Sequence, residues 1–171
     1  MSSFSLRQIS SVDTTTLQGL VEVLVDCVHS GASVSFMAPL STERASAFWQ
    51  GVARGVAAGE RVLLVAEDAQ GVVGTVQLVL DQPDNQPHRA DLSKMLVHQR
   101  GRRQGVGAAL MQAAEAAARA AGKTLLVLDT ASAEAERLYT RQGWVRVGAI
   151  PGYALLPDGR PCDTTYFYKT L

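Results

Sequence analysis

Cysteine is almost missing from this chain, which has only Cys27 and Cys162 in 171 residues. That count excludes a disulfide-stapled secreted scaffold, and neither thiol stands at metal-ligand spacing. Two free thiols without a signal-peptide pattern point to a reducing cytoplasm. Net charge is missing too. Sixteen basic and sixteen acidic side chains cancel, so no global field draws the chain to nucleic acid or an anionic membrane. The apolar runs fall far short of the roughly 20 residues that a membrane span needs. No period repeats, no low-complexity linker divides the chain, and His29, His88 and His98 have no spacing that suggests a metal. Neither Gly-x-Ser-x-Gly nor a complete Gly-x-x-x-x-Gly-Lys-Ser/Thr phosphate loop occurs. The remainder, 47% hydrophobic and 19% charged, is the composition of an ordinary globule of one domain, expected to span residues 1–171.

The most informative stretch is Asp91–Ala108, DLSKMLVHQRGRRQGVGA. Leu92, Met95, Leu96 and Val97 read as a strand, and Gly101, Gly105 and Gly107 as a turn open to close backbone approach. Val106, Leu110, Ala113 and Ala117 then fall at helical spacing, which predicts Gln112, Glu115 and Arg119 on the opposite, polar face. A helix that starts at a glycine-rich turn presents unpaired N–H groups and the positive end of its dipole to an anion. Arg100, Arg102 and Arg103 add mobile positive charge beside it. A nucleic-acid module built on these arginines is disfavoured by the zero net charge and the lack of interleaved aromatics.

The rest of the chain supplies alternating elements. Phe4–Ser10 reads as a strand, and Asp13 caps a helix with an apolar stripe of Leu17, Leu20, Val21, Leu24, Val25 and Val28. Residues 32–40 have no period and read as a loop over a cleft, with burial under the helices as the alternative. Ser41 caps a second helix that buries Ala45, Phe48, Trp49, Val52 and Val56. Arg61–Ala66 and Val72–Leu80 predict a hairpin, and Asp81–His88 a polar connection. Gly122 stops the central helix before the wholly apolar strand Leu125–Leu128, which ends in Asp129-Thr130. A helix over 133–142 stops at Gly143. The strands Trp144–Ile150 and Thr164–Tyr168 follow, joined through the turn Pro157-Asp158-Gly159.

Arg102-Arg103-Gln104-Gly105-Val106-Gly107 resembles Arg/Gln-x-x-Gly-x-Gly/Ala, the pyrophosphate loop of the GCN5-related N-acetyltransferases (GNAT). The order of predicted elements is similar to that family's, and Ala135-x-x-Leu138-Tyr139-x-x-x-Gly143-Trp144 resembles its A-x-x-L-Y-x-x-x-G-F motif. The segments GASVSF, LLVLDT and IPGYALLPDG further resemble the tabtoxin-resistance subgroup. The resemblance implies an α/β fold with a mixed, mostly antiparallel sheet flanked by helices, its central strands splayed around the cofactor. It implies acetyl-CoA as cosubstrate, with no metal, and acetyl transfer to a small-molecule amine, or alternatively a non-catalytic CoA-binding module acting through a protein partner. By the same resemblance Arg102, Arg103, Gln104, Gly105, Val106, Gly107 and Ala108 hold pyrophosphate. The backbone of Met95, Leu96 and Val97 runs beside pantetheine, with the Met95 amide near the thioester carbonyl. Ser132 stands where many members have a cofactor-contacting asparagine. Family members often pair, so a homodimer is expected.

Acyl transfer from a thioester to an amine needs a proton acceptor, a donor for the carbonyl, a donor for the departing thiolate and alignment. Without a nucleophile motif, direct attack by the amine is the simplest route. Asp91 and Asp129 are the candidate bases. Asp91 precedes Gly105 by 14 residues, where histone-type members carry their glutamate, and Asp129 ends the neighbouring strand. Aspartate's usual pKa near 3.9 is far below the roughly 10 of an aliphatic ammonium, so either would bind the ammonium and relay its proton. Each also has a plainer role as a turn cap. Tyr139 resembles the family's general acid.

Overall fold

The computed structural model describes residues 4–171, and each predicted element is present within them. In chain order they are β1 (Ser5–Ile9), α1 (Thr14–His29), α2 (Thr42–Ala57), β2 (Arg61–Asp68), β3 (Gly71–Val79) and β4 (Arg89–Val97). A 3-10 turn (Gln99–Gly101), α3 (Val106–Ala120), β5 (Leu125–Thr130), α4 (Ala133–Arg141), β6 (Val145–Leu155) and β7 (Pro161–Thr170) follow. The caps read from sequence are made. The Asp13 carboxylate accepts from the Thr16 N–H at 2.7 Å, and the Ser41 hydroxyl from the Arg44 N–H at 3.2 Å.

The strands form one sheet in the order β1-β2-β3-β4-β5-β7-β6. Every neighbouring pair is antiparallel except β4 and β5. The continuous apolar runs have their cause in two-sided burial. On β2, Leu63 and Val65 pack with Leu20, Leu24 and Trp49 under α1 and α2, while Leu64 and Ala66 pack with Leu110 and Ala114 under α3. Each fully buried leucine of this kind contributes roughly 1.5–3 kcal/mol.

Some expectations need correction. β1 runs only from Ser5 to Ile9, shorter than the Phe4–Ser10 expected; its Leu6 is 39% exposed and Ile9 is its buried residue. β6 and β7 are longer than predicted because two register shifts, at Arg146/Gly148 and Ile150/Ala154, let the pair continue past the break in apolar pattern. The buried stripe of α3 is Val106, Leu110, Met111, Ala114 and Ala118, one residue round from the predicted line. That rotation carries Glu115 inward to 7% exposure, against the polar-face expectation, while Gln112 and Arg119 stay exposed.

Candidate active site

The site begins with an interrupted ladder. β4 and β5 pair only over Arg89–Asp91 and Leu125–Val127. Beyond that point β4 stays with β3 as far as Val97, and β5 stays with β7 as far as Thr130. The two strands part, leaving a cleft of about 690 Å³ lined by Leu92–Val97 on one side and Leu128–Ser132 on the other. β4 also carries a bulge, because Thr75 opposes Leu96 whereas Gln77 opposes Ser93. The surplus falls at Lys94, whose φ of +51 is left-handed. The parting strands leave backbone groups of β4 without a β5 partner, and the carbonyl of Val97 takes a side-chain donor instead, Arg102 Nε at 3.3 Å.

At one end of the cleft α3 begins. Gly105 is its N-cap at φ +82, a conformation that L-residues with a Cβ adopt at a cost, and it supplies no side-chain cap. The first backbone bond of the helix runs from Ala109 to the Gly105 carbonyl at 3.0 Å, so the N–H groups of Val106, Gly107 and Ala108 precede the ladder. A Cβ on Gly107 would stand 3.2 Å from Leu138 Cδ2, so its smallness lets α3 and α4 approach each other at the cleft. Arg102, Arg103, Gly105, Val106, Gly107 and Ala108 all line the cleft. Gln104 is not among the lining residues; its amide binds the Arg100 carbonyl at 2.7 Å. Arg100 is not mobile charge either. It donates to Asp68 at 3.1 Å and to the Val72 carbonyl at 2.7 Å, anchoring the loop to the hairpin.

On the far wall Tyr139 is 4% exposed, its ring 5.9 Å from that of Trp144 and 5.8 Å from that of Phe167. Burial, and secondarily the charge of Asp129, push its phenol well above the ordinary tyrosine value. The hydroxyl therefore keeps its proton at neutral pH. Ser132 caps α4, its hydroxyl accepting from the Ala135 N–H at 3.2 Å, so that oxygen is already engaged at the cleft edge. Asp129 lines the cleft and accepts from Thr164 Oγ1 at 2.7 Å. Asp91 is placed differently. It lies outside the cleft lining, its carboxylate held by Arg89 and, at 3.1 Å, by Gln82. The strand register puts both aspartates on one sheet face, with Asp129 two residues further into the opening.

The loop over residues 32–40 divides between the two readings: Ala32–Ser35 line the cleft, while Leu40 is buried in the core under the helices. Its Ser33 hydroxyl reaches the Leu155 carbonyl at 3.3 Å, and the Ala38 N–H reaches the Pro157 carbonyl at 3.0 Å, bridging to the β6–β7 end. Phe36 packs edge-on against Phe48 at 5.3 Å. Sequence reasoning missed Lys94, Ser35 and Tyr166. Tyr166 opposes Asp129 in the β5–β7 register and shares a 3.3 Å hydroxyl contact with Tyr153, which, with burial and Asp129, lifts its phenol to about 12. The one available signal was Lys94, a charge amid the apolar residues of a central strand. Two histidines hold backbone in place: His29 Nε2 accepts from the Leu40 N–H at 3.0 Å, and His98 Nδ1 from the Arg100 N–H at 3.2 Å. No cluster of metal-ligating side chains occurs among the described residues.

The sequence pattern of the acetyltransferase (GNAT) domain matches residues 59–146, which run from the end of α2 through the glycine-rich loop before α3 to α4 and the start of β6. The chain is also 30% identical over 131 residues, covering 75% of itself and 76% of the relative, to a protein of Azospirillum brasilense described as an uncharacterized N-acetyltransferase of the hisH-hisA intergenic region. The chain belongs to the GNAT acetyltransferase family.

Two solved structures show the same fold as this acetyltransferase. One, a ribosomal-protein-alanine N-acetyltransferase from Brucella melitensis, superposes with a TM-score of 0.82 at 22% identity, covering 98% of this chain and 99% of that one. The other, yncA from Salmonella typhimurium, a candidate acetyltransferase solved with its cofactor acetyl-CoA, gives 0.80 at 20% identity, covering 99% and 94%. The GNAT enzyme is thus a mixed α/β protein with a seven-stranded, mostly antiparallel sheet, and no helix among its described residues is long and apolar enough to cross a membrane.

Proposed function

We propose that this acetyltransferase moves the acetyl group of acetyl-CoA to the primary amine of a small, polar, amino-acid-like molecule by direct attack. The observation that carries the reading is the gap beyond the Asp91–Val127 register pair, with the α3 N-terminus at one end and Asp129 and Tyr139 along its wall. The residues fit the cosubstrate. Arg102, Arg103 and the N–H groups of Val106, Gly107 and Ala108 hold the pyrophosphate. The β4 backbone at Met95, Leu96 and Val97 takes pantetheine, and the Met95 amide polarises the thioester carbonyl. Ser132 lies beside the same path, though its hydroxyl is committed to the α4 cap.

Asp129 receives the acceptor's ammonium and relays its proton, and Tyr139, protonated and desolvated, supplies a proton to the departing thiolate. Asp91 acts at a distance, as a carboxylate held by Arg89 at the foot of the opening. The resemblance of GASVSF, LLVLDT and IPGYALLPDG to the tabtoxin-resistance subgroup supports an amino-acid-like toxin or antibiotic as acceptor. The two free thiols, Cys27 and Cys162, favour a reducing cytoplasm.

A homodimer is also proposed. β6 is an edge strand over its whole length and exposes Val145, Val147, Ile150, Tyr153 and Leu155, an apolar edge that a second copy would cover.

The acceptor class is tested by following free thiol release from acetyl-CoA. Free amino acids, polyamines and aminoglycosides are compared with histone-tail peptides and peptides beginning with alanine. Turnover is expected with small amines, and robust turnover confined to the peptides overturns the reading.

A further inference from the structure

Lys94, at the bulge of β4, brings a charge to the cleft lining. Lys94 Nζ donates to Ser35 Oγ at 3.1 Å and stands 5.8 Å from the centroid of the Phe48 ring, so it faces the loop that covers the acceptor side. Both Lys94 and Ser35 line the cleft. Lys94 enters none of the ion pairs found among the described residues. A desolvated ammonium without a carboxylate is costly, and burial indeed holds its pKa below the ordinary lysine value. The fixed charges around it do not neutralise it. Asp129 attracts it, Arg61 repels it, and Asp129 already accepts from Thr164. Arg61 is engaged by a neutral partner, Gln77, at 2.9 Å. Lys94 thus faces the cleft with a hydroxyl and a ring beside it and no carboxylate of its own.

We propose that Lys94, with the Ser35 hydroxyl, seats the carboxylate of the acceptor, so that the acceptor is a free amino acid or close analogue whose amine meets Asp129. The inference rests on the small-amine reading above and adds its second point of recognition. An ammonium at Asp129 and a carboxylate at Lys94 would fix the acceptor at both ends, which orients the amine for attack. A polyamine brings a second cation to Lys94 and is repelled there, and an aminoglycoside has no carboxylate to place.

The test measures steady-state acetylation of each proteinogenic amino acid and of its α-carboxamide by the wild type, Lys94→Met and Lys94→Arg. The carboxamide keeps the amine and the shape and removes only the negative charge. The wild type is expected to favour the acid at least tenfold in kcat/KM. Lys94→Met should raise KM for the acid tenfold or more, leave the carboxamide within about twofold, and so erase the preference. Lys94→Arg should keep the preference, which separates charge from folding. Equal loss on acid and carboxamide in Lys94→Met, with Lys94→Arg equally impaired, assigns Lys94 to packing and overturns the proposal. So does a wild type that acetylates small amines with no preference for the acid. A wild type that acetylates no small amine at all fails the small-amine reading itself, and this inference with it.

Discussion

Lys169, near the end of β7, holds Glu115 of α3 through both carboxylate oxygens at 2.9 Å, and donates a third bond to the Gln142 carbonyl at the end of α4 at 2.6 Å. One ammonium thus ties together the two helices that flank the cleft and the strand between them. The third bond holds the C-terminus of the helix that carries Tyr139, and Lys169 Nζ also lies 3.8 Å from where a Cβ on Gly143 would stand.

Breaking this pair from one side leaves a buried charge uncompensated. Lys169→Met is expected to cost roughly 3 kcal/mol, which for a chain of this size lowers Tm by about 10 °C. The double variant Glu115→Leu/Lys169→Met should recover much of that loss. Thermal melts of the three proteins check it. A single variant as stable as the wild type means that the pair is only a surface contact.

Gly105 separates loop geometry from loop charge. Its φ of +82 penalises any side chain, and a Cβ there meets nothing within 4 Å, so alanine and glutamate share the same strain of about 1 kcal/mol. Only glutamate adds a negative charge to the loop proposed to hold the pyrophosphate. By calorimetry Gly105→Ala is expected to bind acetyl-CoA weakly and Gly105→Glu not measurably, both remaining folded. Unchanged affinity in Gly105→Glu removes the loop from the cofactor site.

Tyr139→Phe keeps the ring between Trp144 and Phe167 and loses only the hydroxyl. Turnover should fall by roughly 10²–10⁴-fold, the usual contribution of a general acid, while Tm at neutral pH stays nearly constant. The phenol's pKa is raised on folding, so its proton stabilises the fold fully below the unfolded value near 10. That stability is lost as pH climbs from there toward the higher folded value. Tyr139→Phe should therefore soften the alkaline limb of a stability–pH curve. A collapse of Tm at pH 7 with turnover intact would show a packing residue only.

The apolar edge of β6 is tested at Val147, its most exposed large apolar residue at 67%. The wild type is expected to sediment as a dimer, and Val147→Glu as an active monomer. A monomeric wild type at working concentration ends the dimer proposal.

Periodicity and spacing determined much of this protein in advance. The hairpin of β2 and β3, the capped helices and the order of elements follow from local rules: apolar period, cap residues and glycine stops. So does the glycine-capped start of α3, because one short segment holds the glycines that set it. Tertiary structure decided what depends on partners distant in sequence. Glu115 reads as polar surface until Lys169, 54 residues away, crosses to neutralise it. Asp91 and Asp129 both read as candidate bases, but Arg89 and Gln82 claim the first, and only the second lines the cleft. Arg100 reads as one more loop arginine, but it meets Asp68 across the hairpin. Lys94 entered the cleft because β4 holds one residue more than β3 opposite it, a register fact of two paired strands that neither strand carries alone.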